Sequence, residues 1–194
     1  MNTSRVWRLV SYVWYPTIFL LCAITAFSSC EKDCVDGTID PHPVYFQYEI
    51  LNYAWGHFHA GWYIDDEGNF NYYNLPQNWN EPDSNGYISE AALLSNFEKA
   101  DSIIYHVSVE SLQNQIAIID DVDADKYSEV QFLAADAGKM EFYCFKWDKN
   151  RSAYQRISLA YTGDFAQHNL DPEAKGLTAW LIAEGEQSGF FAWW

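Results

Sequence analysis

His57 and His59 stand two residues apart. In a strand that spacing turns both imidazoles to one face, and zinc accepts such a pair when a third ligand closes the site. His42, His106, His168 or Asp65 could supply it, but no spacing selects among them. Two strand residues beside Trp55 and Trp62 need the same pattern without a metal. Carboxylates pair at Asp65 with Glu67 and at Asp120 with Asp121, a residue type suited to general acid and base work. The chain carries no nucleophile elbow, phosphate loop or metalloprotease helix. It reads against an enzyme, and a metal-dependent hydrolase stands only as a further alternative. Rings offer other chemistry. Trp55, Trp62, Tyr63, Tyr72, Tyr73 and Trp79 lie in one stretch among Asn and Asp. Flat rings stack on the C–H faces of sugars while amides bond the hydroxyls. Trp55, Trp62, Tyr72 and Trp79 are therefore the expected glycan platform, against the plainer reading that these rings are core.

The run from Glu81 through Pro82, Asp83, Ser84, Asn85, Gly86, Tyr87 and Ile88 to Ser89 and Glu90 resembles the second half of an EF-hand calcium loop. The resemblance implies Asp83 and Asn85 as side-chain ligands, Gly86 as the sharp turn, Tyr87 as the carbonyl ligand and Ser89 at the ninth place. Two departures count against calcium. Glu81 stands where Asp is usual, and Ala92 holds the twelfth place, where a bidentate carboxylate dominates affinity. A glycine turn leading into a serine-capped helix uses the same residues. Asp121, Asp123 and Asp125 repeat the alternating opening, but Lys126 and Phe132 occupy the glycine and glutamate places, so that run reads as a solvated acidic turn. No cofactor is expected beyond this calcium possibility.

The chain has 194 residues with 11 Lys+Arg against 27 Asp+Glu, a net charge of −16. No basic surface remains to displace counterions from phosphates, so nucleic acid is excluded as a partner. Aromatics at 18% exclude disorder.

The first residues read as an address. Arg5 and Arg8 precede an apolar run over residues 10–27, broken by Pro16. The break disfavours a permanent membrane helix, and the arrangement is that of a signal peptide. Ala26, Phe27, Ser28, Ser29 and Cys30 then resemble the lipobox of a bacterial lipoprotein precursor, with Phe27 where Leu is frequent. The resemblance implies cleavage before Cys30 and acylation of its sulfur. Residues 1–29 are then the signal peptide, and the mature chain keeps 165 residues and a net charge of −18. Two or more acyl chains anchor stably, since each buried methylene contributes about 0.8 kcal/mol. Residues 30–43 form an acidic tether with Pro41 and Pro43, whose thirteen residues after Cys30 reach at most roughly 40 Å. An acidic stretch behind the lipidated cysteine also resembles a surface-export signal of some Gram-negative groups, whereas in other groups an acidic residue there resembles an inner-membrane retention signal; the outer membrane, at its periplasmic or its outer face, is the expected location. Cys34 and Cys144 remain as an even pair in an oxidising compartment. A bridge between them would close a loop of about 110 residues, worth roughly 4–5 kcal/mol; two free thiols, with Cys144 buried in a strand, is the other possibility. The globular part resembles uncharacterised lipoprotein domains of Gram-negative envelopes, a likeness that assigns no activity. The leading reading is a non-catalytic lipoprotein that binds a ligand or joins an envelope complex. A surface glycan-binding module is the alternative.

The elements that must position these groups follow from periodicity. Strands are predicted over 44–51 and 53–64, with a turn at 65–69, a return strand at 70–73 and a loop over 74–85. Ser89 and Ser108 cap two helices. Strands follow over 129–134, 139–147 and 153–161. Pro172 opens a last helix that buries Ala174, Leu177, Trp180 and Leu181 and ends at Gly185. The aromatic tail over 190–194 is either a docking strip or a cover over the core. The sum is one α+β domain over 44–194, with antiparallel strands, hairpins and about three helices.

Overall fold

The structure, a computed structural model, describes residues 42–43 and 45–190. Its centre is an antiparallel sheet of nine strands. They are β1 (Tyr45–Asn52), β2 (Phe58–Ile64), β3 (Asn69–Asn74), β4 (Tyr87–Ile88), β5 (Ser102–His106), β6 (Gln131–Phe132), β7 (Lys139–Asp148), β8 (Ala153–Gly163) and β9 (Phe165–His168). Their order is β5-β3-β2-β1-β7-β8-β9-β6, with β4 also on β8. The helices are α1 (Glu90–Phe97), α2 (Val109–Ile116) and α3 (Pro172–Gln187), with a short 3-10 turn at Ile119–Asp121. The α+β expectation holds, with sheet the larger part. No described helix is long and apolar enough to cross a membrane.

Both faces of the sheet are covered, which explains the aromatic density. Alternate residues of a strand point to opposite faces. On one face Phe46, Tyr48, Trp62, Ile64, Phe70 and Phe142 pack with Leu112 of α2 and Ala174, Leu177 and Leu181 of α3. On the other, Tyr45, Tyr63, Tyr73, Phe145 and Tyr154 pack with Leu93 and Phe97 of α1. Central strands buried on both sides carry large apolar residues at nearly every position.

The differences from the expected elements have local causes. The strand expected over 53–64 begins only at Phe58, and residues 53–57 project as a loop. β5 went unread because it is an edge strand. It has one neighbour, a bulge in that pairing and largely exposed side chains, so its sequence shows no inside–outside alternation. The strand expected over 129–134 shortens to two residues on the opposite edge. α3 runs past Gly185, which lies buried, and the chain turns at Gly189 with φ +74°. Burial on the core face outweighs the roughly 1 kcal/mol that glycine costs inside a helix.

Ser89 caps α1 as expected, its Oγ accepting the Ala92 N–H at 3.3 Å. Ser89→Ala should lower the unfolding free energy by about 1 kcal/mol. Urea titration reads this, and an unchanged midpoint would show that packing of Leu93 and Phe97 alone sets the start of the helix.

Candidate functional site

The face that carries α1 changes character along the strands. Beyond its aromatic cluster it becomes polar, through residues that alternate inward: Gln47 and Glu49 on β1, His59 on β2, Glu141 and Tyr143 on β7, and Arg156 and Ser158 on β8. Glu49 is 3% exposed and His59 equally so, and Glu49 Oε1 lies 2.7 Å from His59 Nε2. The Tyr143 hydroxyl donates to the other oxygen of Glu49. Burial, then the Glu49 and Glu141 charges, hold the Tyr143 phenol well above its ordinary range, so it stays a donor. Glu141 faces Glu49 across the β1–β7 pairing. It accepts from Ser158 Oγ at 2.5 Å and pairs with the Lys139 ammonium. Gln47 Nε2 donates to the Tyr73 hydroxyl at 2.7 Å.

A loop roofs this layer. Leu75 and Asn78 adopt φ of 48° and 53°, a region that costs a non-glycine residue roughly 1–3 kcal/mol. The loop is clamped in return. Leu75 N–H donates to the His59 carbonyl at 2.7 Å, and Lys99 Nζ donates to the Asn78 carbonyl at 2.5 Å. Trp79 lies edge-on to His59 at 5.0 Å. Glu81, 3.7 Å from Arg156, has its carboxyl pKa raised by burial and by the Glu49 charge, against the pull of Arg156. Glu49 and His59 together resemble an acid–base pair in type. Enclosed and mutually bonded, they act as a support for the sheet.

Two residues further along the same face, the support opens into a cleft of about 580 Å³ whose walls include Leu51, Tyr53, Lys139, Tyr161, Asp164 and Phe165. The volume suits a small ligand, for which about 300–1,000 Å³ is usual. Its base is tightly closed. A Cβ on Gly163 (φ +128°) would lie 2.1 Å from the Gly138 carbonyl oxygen, and one on Gly138 (φ +78°) 2.4 Å from that of Leu51. Only glycine permits three backbone segments so close at these angles. Asp164 Oδ1 accepts the N–H groups of Ala137 and Gly138 at 2.7 and 3.1 Å. Asn52 fixes the β1–β2 loop, accepting from Ala54 N–H at 2.8 Å and donating to the Asp136 carbonyl at 3.1 Å. Lys139 Nζ sits 4.8 Å from the Tyr161 ring centroid, joining the cleft to Glu141. The rim is apolar and wet. Tyr53 of the lining is 69% exposed; Trp55, next in the chain to the lining Ala54, is 85% exposed, and Phe132, 66% exposed, meets the lining Phe165 edge-on at 5.6 Å.

The expected platform does not assemble. Trp62 is fully buried, against Phe70 at 4.4 Å. Half-buried Tyr72 meets Phe190 at 5.0 Å. Trp79 roofs His59, and Trp55 alone is at the surface near the cleft. Strand alternation and a sheet covered on both faces send the four rings to different places. The histidine rings stay 6.4 Å apart but in different surroundings: His59 turns inward to Glu49, while exposed His57 precedes β2 and stacks on Tyr53 at 5.3 Å. Of the suggested third ligands, His42 pairs with Glu90 and His106 with Asn69. Asp65 holds its own turn, accepting from Asn69 N–H at 2.9 Å.

At the calcium-like run, Asp83 Oδ1 accepts the N–H groups of Asn85 and Tyr87 at 2.8 and 2.9 Å. The N–H groups of Tyr87 and then Asn85 hold this carboxyl below its ordinary range. The Tyr87 carbonyl accepts the Asp83 N–H at 2.8 Å, and Ser89 caps α1. One Asp83 oxygen, the Tyr87 carbonyl and the Ser89 hydroxyl, three of the expected calcium ligands, are thus engaged within the turn and the helix cap. Asp123 closes a similar turn to Asp125 N–H. Among the described residues, no group of three or more His, Cys, Asp or Glu could hold a metal ion. Cys144 is a free, buried cysteine on β7, and burial pushes its thiol up to about 12. Cys30 and Cys34 lie outside the described residues.

Sequence reasoning missed Glu49, Glu141, Lys139, Tyr161 and Phe165. A signal existed for the first two: a charged residue at an inward position of an otherwise apolar strand requires a buried partner. No protein-family model matches the chain, and no curated protein matches it.

Proposed function

We propose that the protein is a lipid-anchored extracytoplasmic lipoprotein whose domain acts by binding, alone or within an envelope complex, at the cleft between β1, β7 and β8. The observation that carries the binding role is the cleft, with fixed walls and rings displayed to water at its rim. Monomeric surfaces rarely hold several large exposed rings together without a partner for them. The support behind the cleft is mutually bonded, which favours a binding role over chemistry. The anchor rests on Arg5, Arg8, the apolar run over 10–27 and the five residues ending at Cys30. The acidic tether supports placement at the outer membrane.

Growth of expressing cells on radiolabelled palmitate tests the anchor. The wild-type chain should carry label and Cys30→Ala should lose it; equal labelling of the two would overturn the lipoprotein reading. Protease treatment of intact cells then separates the outer face of the outer membrane, where the domain is cleaved, from the periplasmic face, where it is protected.

A further inference from the structure

The cleft combines two surfaces seldom found together on so acidic a chain. Its walls are ring faces and an aliphatic side chain: Tyr53, Tyr161, Phe165 and Leu51. Its polar groups are few and fixed: Lys139, held between Glu141 and the Tyr161 ring, with Asp164 and Asn52 pinned by backbone groups. We infer that this cleft binds a neutral glycan, one sugar seated in the cleft against Tyr161 and Phe165 and the chain continuing over the exposed rings of Tyr53 and Trp55. The inference rests on the binding role proposed above and names its ligand class.

Three observations select the class. First, a sugar ring presents an apolar C–H face and an edge of hydroxyls. Aromatic faces take the former, and an ammonium, a carboxylate and an amide take the latter. An acyl chain would bury Lys139 and Asp164 without bonding them, at a cost. Second, the one lining cation, Lys139, is already paired with the buried Glu141, and Asp164 lines the cleft with it; the chain carries 27 acidic against 11 basic residues, so an anionic polysaccharide meets like charge. Third, the cleft lies at the ends of β1, β7 and β8. The one edge strand beside it, β6, is only two residues long, too short a ladder for an extended peptide to pair with. Trp55 gives the glycan a further surface. It follows Ala54 on the loop that Asn52 fixes, and a ring 85% exposed on a fixed loop is available without reorganisation, which lowers the cost of binding.

The test uses the full-length chain in phospholipid nanodiscs. It is run by native electrophoresis through gels containing amylopectin, galactomannan, xyloglucan or arabinoxylan, with polygalacturonate as the anionic comparison. At least one neutral polysaccharide should retard the wild type. Trp55→Ala and Tyr53→Ala should each weaken that retardation about tenfold, the size expected for one ring contact. Ile103→Ala on the far edge strand should leave it unchanged. Both rings are largely exposed, so these variants keep the fold, which circular dichroism checks. Retardation by polygalacturonate alone, or retardation by a neutral polysaccharide untouched by either ring variant, overturns the inference. So does absence of retardation in every neutral gel. In that case saturation-transfer NMR with 2-phenylethanol, against empty nanodiscs, separates the two claims. A signal lost on Tyr161→Ala keeps the binding cleft and removes the glycan. No signal removes both.

Discussion

Glu49→Ala is expected to destabilise the domain by about 3–5 kcal/mol, read as a lowered midpoint in urea unfolding followed by tyrosine and tryptophan emission. The Glu49 carboxylate is the acceptor for two buried groups, His59 at 2.7 Å and the Tyr143 hydroxyl. Removing it strands both in an interior that water does not reach. Each buried group left without a partner costs roughly 1–3 kcal/mol, and the lost side-chain packing adds to this. Glu49→Gln keeps the volume and one acceptor oxygen, so its loss should stay near 1–3 kcal/mol. A loss below about 1 kcal/mol for Glu49→Ala would mean that solvent replaces the carboxylate, and the layer behind the cleft would no longer count as a dry support. The same variant should also weaken retention of the glycan probe. Glu141, which holds Lys139 at the cleft, faces Glu49 across the β1–β7 pairing.

Trp62→Ala is expected to cost about 3–5 kcal/mol. The indole is fully buried among Tyr48, Phe70 and Phe142, and truncation leaves a cavity that rigid strands cannot close. Its N–H has no hydrogen-bond partner among the described residues. Trp62→Phe removes that uncompensated donor along with part of the ring, so its cost should be no more than about 1.5 kcal/mol. Trp55→Ala should stay within about 0.5 kcal/mol of wild type. Chemical denaturation of the three variants ranks them. A Trp62→Ala protein as stable as Trp55→Ala would place Trp62 at the surface and revive the four-ring platform.

The helix starts were legible in the chain. Ser89, Ser108 and Pro172 mark helix starts by local hydrogen-bonding rules, and the structure keeps all three. The hairpin at Asp65 was legible for the same reason: its carboxylate organises its own turn. β5 and β9 were not legible. β5 is an edge strand held by one neighbour, so its sequence need not alternate, while β9, between β8 and β6, is only four residues long. The reach of the helix past Gly185 was hidden too, because tertiary burial decided against local propensity.

The site was hidden more completely. Trp55 and Trp62 are seven residues apart in the same aromatic stretch, yet one is at the surface and the other in the core. Lys139, Tyr161 and Tyr53 meet only because β1, β7 and β8 lie side by side, a long-range pairing that no short motif records. The sequence by itself determined the α+β class, the helix caps, the acidic balance, and the lipobox-like run at Cys30. Each depends on residue type and on spacing within a few positions. Only the tertiary structure decided which rings are buried, that Glu49 and His59 are partners, and that a cleft opens beside them. Those outcomes depend on strand order and on which face of the sheet each side chain meets, and the distances involved are fixed by packing across the sheet rather than along the chain.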